Sequence, residues 1–292
     1  MQETGNLRGR ADPAPQGIAV IDAHHHYVPP GAGDALFEER AANLADYPAR
    51  ELHERLRAMD ADGIEQAVIM PGHGYLRPHG IDDSRRVNDA VAAYQRARPD
   101  RFPVALGVAE PLFGAASLTE LDRIRDELAL TGVTFHARFQ GVPTDHRLII
   151  RLVERMAELG LAVFMHAGDS SEEEIWRILN VARCVPSVPI VVLDAFDHLE
   201  KANQALVCAE IAQNLVFDTA GCADFEFILR FWRRYGAQRL VFGSNRYSAT
   251  APAKRHHILA DLHACDLPRD DKRAIAAGNI ASMLGMLGDL SG

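Results

Sequence analysis

Short apolar runs rich in Val, Ile, Leu and Phe recur along the chain, and each is followed by a longer stretch whose apolar positions lie three and four apart. The runs are IAVID at 18–22, QAVIM at 66–70, PVALGV at 103–108, GVTFHA at 132–137, LAVFMH at 161–166, PIVVLD at 189–194, NLVFD at 214–218 and RLVFGS at 239–244. They are continuously apolar instead of alternating, the pattern of strands buried on both faces between a barrel core and a shell of helices. The stretches between them, among them LTELDRIRDELAL, RLIIRLVERMAEL and EEEIWRILNVAR, carry the spacing of amphipathic helices. In SSEEEIW, serine followed by acidic residues predicts a helix N-terminus through capping and the helix dipole.

Strand and helix alternating eight times predict an α/β fold, a (β/α)8 TIM barrel, with an open doubly wound sheet as the second arrangement the pattern allows. Residues 1–16, polar and containing Gly and Pro, read as a flexible leader, and 17–292 as a single barrel domain. Two connections, 27–50 and 71–83, exceed ordinary loop lengths; they follow strands one and two, where long loops shape a substrate pocket.

Composition narrows the function. With 48% hydrophobic and 24% charged residues the chain can bury a large core, and a net charge of −9 without a dense Lys/Arg run argues against a nucleic-acid surface. No apolar stretch approaches the roughly 20 residues of a membrane span, and the N-terminus lacks a signal-peptide core. Four cysteines, Cys184, Cys208, Cys222 and Cys265, show no CxxC pairing, which predicts reduced thiols in a cytoplasmic protein. There is no P-loop, dinucleotide glycine fingerprint or Gly-x-Ser-x-Gly elbow, which argues against nucleotide-dependent chemistry and serine hydrolysis.

The candidate chemistry sits at strand ends. IDAHHHYVPP follows the first run, and strand alternation puts His24 and His26 on one side and His25 on the other. Two imidazoles separated by one residue can grip a single divalent ion, and zinc favours nitrogen donors. His166 closes LAVFMH and faces the same barrel mouth, so the three histidines could form a metal site with one position open to water; the alternative is three packed histidines. In GVTFHARFQGVP, alternation puts His136 and Arg138 on one face as candidate substrate-binding residues. His73, Tyr75, Arg77 and His79 lie in the loop after the second strand and could cover the pocket. His53, His146, His256, His257 and His263 fall in helical segments and are given no role.

Taken together, IDAHHH, FMHAGD, VFGSN and the tail AAGNIASMLGMLG resemble the amidohydrolase superfamily, in particular the amidohydrolase-related (amidohydrolase 2) branch of small barrel hydrolases and decarboxylases. The resemblance covers nearly the whole chain after the leader. It implies that His24 and His26 are the metal-binding pair, that His166 is the third ligand, and that an arginine near Arg138 holds a substrate carboxylate. It also exposes departures. Asn245 falls where the family's GSD motif supplies an aspartate that touches the metal and takes a proton from the attacking water. An amide can lend oxygen to a metal but has no useful basicity, and losing the negative charge weakens metal affinity. Relatives often place a histidine close to the end of strand six, where this chain has Asp194 and then Ala195. Proton transfer is left to Asp194, His198 with its neighbour Asp197, or a group on the substrate.

No lysine stands on the fourth strand, which argues against a carbamylated-lysine binuclear centre and for a mononuclear site, zinc or manganese, or a metal-free one. The implied activity is metal-assisted hydrolysis of a small carboxylated, lactone-like or amide substrate. Alternatives are non-oxidative decarboxylation, a metal-free lactonase or isomerase, or a barrel that binds a ligand without turnover. Phe231 and Trp232 in EFILRFWRRY either form a surface for a second copy of the chain or pack on the barrel.

Overall fold

The computed structural model describes residues 17–29, 47–247 and 257–286. The expected leader, most of the long loop after the first strand, and His256 lie outside these residues.

Eight strands, β1 (Ile21–Tyr27), β2 (Gln66–Pro71), β3 (Val104–Val108), β4 (Gly132–Phe135), β5 (Ala162–His166), β6 (Ile190–Leu193), β7 (Leu215–Asp218) and β8 (Leu240–Val241), are hydrogen-bonded in chain order. Every pairing is parallel. The segment after β8 returns to β1 through Ala23 N–H to Phe242 O (2.9 Å), His26 N–H to Arg246 O (2.7 Å) and a parallel bridge between His25 and Arg246. The sheet therefore curls into a nearly closed TIM barrel, and the open doubly wound alternative is discarded.

Around it run α1 (Tyr47–Asp62), α2 (Ile81–Ala97), α3 (Ala115–Asp126), the single turn α4 (Ala137–Gln140), α5 (Arg147–Leu159), α6 (Ile175–Cys184), α7 (Leu199–Ile211), α8 (Glu226–Tyr235), α9 (His257–Ala264), α10 (Arg269–Arg273) and α11 (Asn279–Met283). A π-turn, Ala274–Gly278, joins the last two.

Strand alternation sorts the buried residues into two groups. Val68, Leu106, Phe164, Val191 and Val241 fill the barrel interior together with Ile280 and Ala281 of α11. Ile69, Val133, Val163, Val192 and Phe217 point outward and join the cluster that includes the helices' buried faces. This second layer is why each strand reads as continuously apolar.

Three local expectations change, and one open alternative is decided. β1 extends to Tyr27 and includes the histidines; its register shifts between Asp22 and His25, where Asp22 Oδ1 accepts the N–H groups of His24 and Ser244, both at 2.9 Å. β4 ends at Phe135 and the chain enters α4, so strand alternation does not extend to Arg138. α6 begins at Ile175, after the serines and acids expected to open it. Phe231 is fully buried among Phe196, Phe217 and Tyr235, and Trp232 Nε1 donates to Asp271 (2.7 Å), so this pair packs on its own barrel. No helix among the described residues is long and apolar enough to cross a membrane.

Candidate functional site

His24, His26 and His166 meet at the C-terminal mouth of the barrel, buried at 0%, 0% and 2% exposure, with one ligand atom from each within 4.8 Å of the others. Each ring has its Nδ1 committed to an oxygen: His24 to Asp218 Oδ2 (2.7 Å), His26 to the carbonyl of Pro71 (3.2 Å), and His166 to the carbonyl of Phe135 (2.9 Å). Carbonyl and carboxylate oxygens accept, so the Nδ1 atoms carry the protons and the Nε2 lone pairs are free. These lone pairs point at one another, with His26 Nε2 2.9 Å from His24 Nε2 and 3.3 Å from His166 Nε2. Converging lone pairs repel unless a cation sits between them, so the donor set fits a divalent metal. Burial, reinforced by the neighbouring imidazoles, holds His26 and His166 well below the usual histidine range. Burial acts the same way on His24, but the Asp194 and Asp218 carboxylates outweigh it and raise that group.

Two carboxylates and an amide border the triad. Asp218 ends β7; its Oδ2 holds His24 and its Oδ1 accepts the Asp194 N–H (2.8 Å). Burial and the nearby Asp194 charge lift Asp218 to about 6, against the pull of His24. Asp194 and Asn245 stand just after β6 and β8 in left-handed conformation, φ 60° and 51°, and Asn245 Nδ2 donates to Asp194 Oδ1 at 2.9 Å. Such backbone is uncommon outside glycine and tends to mark functional turns. With its amide nitrogen on Asp194, Asn245 leaves Oδ1 buried without a hydrogen-bond partner, an oxygen suited to a metal. Gly243 provides the room: a Cβ there would stand 2.7 Å from Asp218 Oδ2 and 3.1 Å from His24 Cβ.

A second histidine group adjoins the first. His136 stacks on His166 with ring centroids 4.4 Å apart, and its Nδ1 is hydrogen-bonded to Glu173 Oε1. Glu173 also accepts the Arg138 N–H (2.9 Å) and is fully buried. Gly168 makes this possible, because a Cβ there would lie 1.8 Å from Glu173 Oε2. Beneath β1, His25 points away from the mouth as alternation requires. It stands 2.8 Å from Asp22 Oδ2 as an ion-pair contact off hydrogen-bonding geometry, with Arg55 Nη1 3.2 Å from its Nδ1. Arg55 itself is buried and paired with Glu51 at 2.6 Å, anchoring α1 to β1.

The structure thus brings His24, His26, His166, His136, Asp194 and Asn245 into one neighbourhood. Among the described residues, the side chains of Arg138 and His198 show no contact with the three rings. The Arg138 side chain is exposed and its guanidinium lies 5.2 Å from the Phe139 ring centroid. The chain after Asp194 buries Ala195 and Phe196 and leaves His198 half exposed as the residue preceding α7, with Nδ1 3.0 Å from Glu200 and Nε2 3.6 Å from Asp197. Sequence reasoning passed over Asp218 and Glu173. Asp218 had a signal, since a carboxylate closes NLVFD as His166 closes LAVFMH. Glu173 had none, because it lies in a run of acids whose simplest expectation is a helix start.

The family model described as amidohydrolase, of the amidohydrolase-2 type, matches residues 21–286. The chain belongs to the amidohydrolase-2 family. Over 131 residues it is 26% identical to 2-amino-3-carboxymuconate-6-semialdehyde decarboxylase of Dictyostelium discoideum, a match covering 45% of this chain and 36% of that protein. Its fold is shared by 5-carboxyvanillate decarboxylase of Novosphingobium aromaticivorans, solved as an aspartate-to-asparagine mutant with bound manganese, at TM-score 0.68 and 16% identity over 92% of this chain and 98% of that one. It is shared as well by 4-oxalomesaconate hydratase of Rhodopseudomonas palustris, at TM-score 0.69 and 15% identity over 92% and 96% of the two chains. At these identities the structural likeness is one of fold, and amidohydrolase-2 barrels with the same architecture serve different reactions.

Proposed function

We propose that this protein is a divalent-metal-dependent enzyme that removes CO2 from a small carboxylic acid without an oxidant. The observation that carries the reading is the convergence of three Nε2 lone pairs in a site almost closed to water. His24, His26 and His166 would hold the ion, zinc or manganese, with Asn245 Oδ1 as a neutral fourth donor. When bound, the ion polarises substrate oxygens as a Lewis acid.

The remaining work falls to the chain. Asp218, Pro71 O and Phe135 O fix the three rings in one tautomer by accepting from their Nδ1–H groups, as acceptors behind metal-ligating histidines do. The dry pocket leaves a substrate carboxylate poorly hydrated, which favours a step that spreads its charge into carbon and CO2. The carbon–carbon bond breaks, its electron pair stays on the substrate carbon, and that carbon takes one proton: RCOO− + H+ → RH + CO2. We assign the delivery to Asp194, whose Oδ1 is held by the Asn245 amide and which is partly open to solvent for reprotonation. Decarboxylation needs no base to activate water, so the amide at 245 is compatible with it. The two decarboxylases named above support this choice. Hydrolysis is the second reading, favoured by the same Asp194, which in its ionised form could accept a proton from water.

At neutral pH decarboxylation takes up one proton until the CO2 hydrates, whereas hydrolysis of a lactone releases one. The test is a panel of aryl and unsaturated carboxylic acids, lactones and amides, offered to protein loaded with Mn2+ or Zn2+, with CO2 and proton balance recorded. Decarboxylation gives CO2 with proton uptake, lost in His24→Ala and His26→Ala. Proton release from lactones, with no CO2 from any acid, replaces the proposal by hydrolysis.

A further inference from the structure

Tyr247 closes the run VFGSNRY, in the segment that returns from β8 to β1. His26 N–H donates to the carbonyl of Arg246 (2.7 Å), and this backbone pairing brings the next residue's ring against the His26 imidazole. The Tyr247 and His26 rings are stacked, with 4.3 Å between centroids and 29° between planes. His26 is in turn stacked with His166 at 5.2 Å and 24°, and His166 with His136 at 4.4 Å and 10°. Four rings, each near-parallel to the next, thus run from the β8 segment to the end of β4, and the two inner ones are metal-ligand candidates. The loop after β2 backs the Tyr247 end, where a Cβ at Gly72 would stand 4.0 Å from Tyr247 Cε1. Tyr247 is half-buried.

The three ligand rings are not tethered equally. His24 meets a carboxylate at 2.7 Å and His166 a carbonyl at 2.9 Å, whereas His26 reaches the Pro71 carbonyl at 3.2 Å, the longest of the three. A single bond from Nδ1 fixes the direction of one edge of an imidazole and leaves its plane free to turn about that bond; at the long end of the range it fixes even the direction loosely. A flat ring stacked on the imidazole opposes that turn. The contact also strengthens when an ion is bound, because an imidazole that shares its Nε2 lone pair with a cation becomes electron-poor and is drawn to the negative face of a phenol ring.

We infer that Tyr247 is a positioning residue of the metal site, its ring face holding the plane of His26 and favouring the ion-bound state. The face and not the hydroxyl does this, so phenylalanine would serve in its place and a branched aliphatic side chain would not. The inference rests on the reading of His24, His26 and His166 as metal ligands. It deepens that reading without depending on which reaction the ion serves.

The test is calorimetric titration of Mn2+ and Zn2+ into the full chain and its Tyr247→Phe and Tyr247→Leu variants. Each protein is also melted in the metal-free state, and the visible spectrum of its Co2+ form records the donor geometry. Tyr247→Leu should keep one ion per chain and bind it about tenfold more weakly, the low end of what losing a supporting partner costs a metal site. Its Co2+ bands should shift, while its metal-free melting temperature stays close to that of the wild type. Tyr247→Phe should match the wild type in all three measurements. An unweakened affinity or an unshifted Co2+ spectrum in Tyr247→Leu overturns the inference while the metal site stands. A loss of affinity as large in Tyr247→Phe overturns it by assigning the role to the hydroxyl. So does a loss that comes with a marked fall in the metal-free melting temperature, which would make the ring a part of the fold. A wild type that takes up neither ion removes the metal reading of the triad, and the inference with it.

Discussion

Gly168 tests how the second histidine group is held. In Gly168→Ala the new Cβ would lie 1.8 Å from Glu173 Oε2 and 2.7 Å from Glu173 Cδ. Ordinary contact demands that the carboxylate retreat by about 1.5 Å. That movement lengthens the 2.9 Å bond from Arg138 N–H beyond hydrogen-bonding range and takes the carboxylate off His136. Overpacking of this kind costs roughly 1–3 kcal/mol, and a lost hydrogen bond to a charged group roughly 1.5–3 kcal/mol. The sum, about 2.5–6 kcal/mol, should lower the melting temperature by roughly 5–24 °C for a domain of this size. Urea and thermal unfolding of Gly168→Ala, Glu173→Ala and the double variant form the decisive cycle. With the carboxylate gone, Gly168→Ala should cost almost nothing. An equal cost in both backgrounds, or no cost in either, refutes the claim that this glycine exists to admit Glu173.

Other consequences follow from the same geometry. Asn245→Asp replaces an N–H donor 2.9 Å from Asp194 Oδ1 by a second carboxylate; repulsion of about 4 kcal/mol, for charges about 4 Å apart at an effective dielectric near 20, should destabilise the metal-free protein above neutral pH, while Mn2+ affinity rises at least tenfold. Equal or weaker affinity by calorimetry would show that position 245 does not face the ion. Metal at about 100 times its dissociation constant should stabilise the protein by about 2.7 kcal/mol, reversed by chelation and absent in His26→Ala; a thermal shift surviving in that variant contradicts the triad. Burial pushes the Cys208 and Cys222 thiols from 9.0 up to about 12. The unfolded chain loses these protons first, so stability is full below pH 9 and falls toward pH 12 by about 1.4 kcal/mol per pH unit for each thiol. Urea unfolding at rising pH should show this fall relieved in the Cys208→Ala/Cys222→Ala variant, and an unchanged slope refutes it.

The apolar runs by themselves determined the eight strands and their parallel direction, because a strand buried on both faces has no alternation to hide it, while barrel closure over an open sheet was decided by the return of the segment after β8 to β1. They also determined that His24, His26 and His166 share one rim, since strand-end residues of a barrel converge whatever the loops do. What the sequence could not carry was the pairing of groups far apart in the chain. Asp218 meets His24 across 194 positions, and Ser244 N–H meets Asp22 across 222, through closure of β8 on β1. Arg138 read as a strand residue because local alternation has no term for where β4 stops. Glu173 read as a helix start because its inward turn depends on a missing Cβ at Gly168, a fact of three-dimensional space. Asn245 was legible as a lost carboxylate from one letter. That its amide nitrogen holds Asp194, leaving its oxygen buried without a hydrogen-bond partner, was decided by two left-handed residues just after β6 and β8, which no linear pattern records.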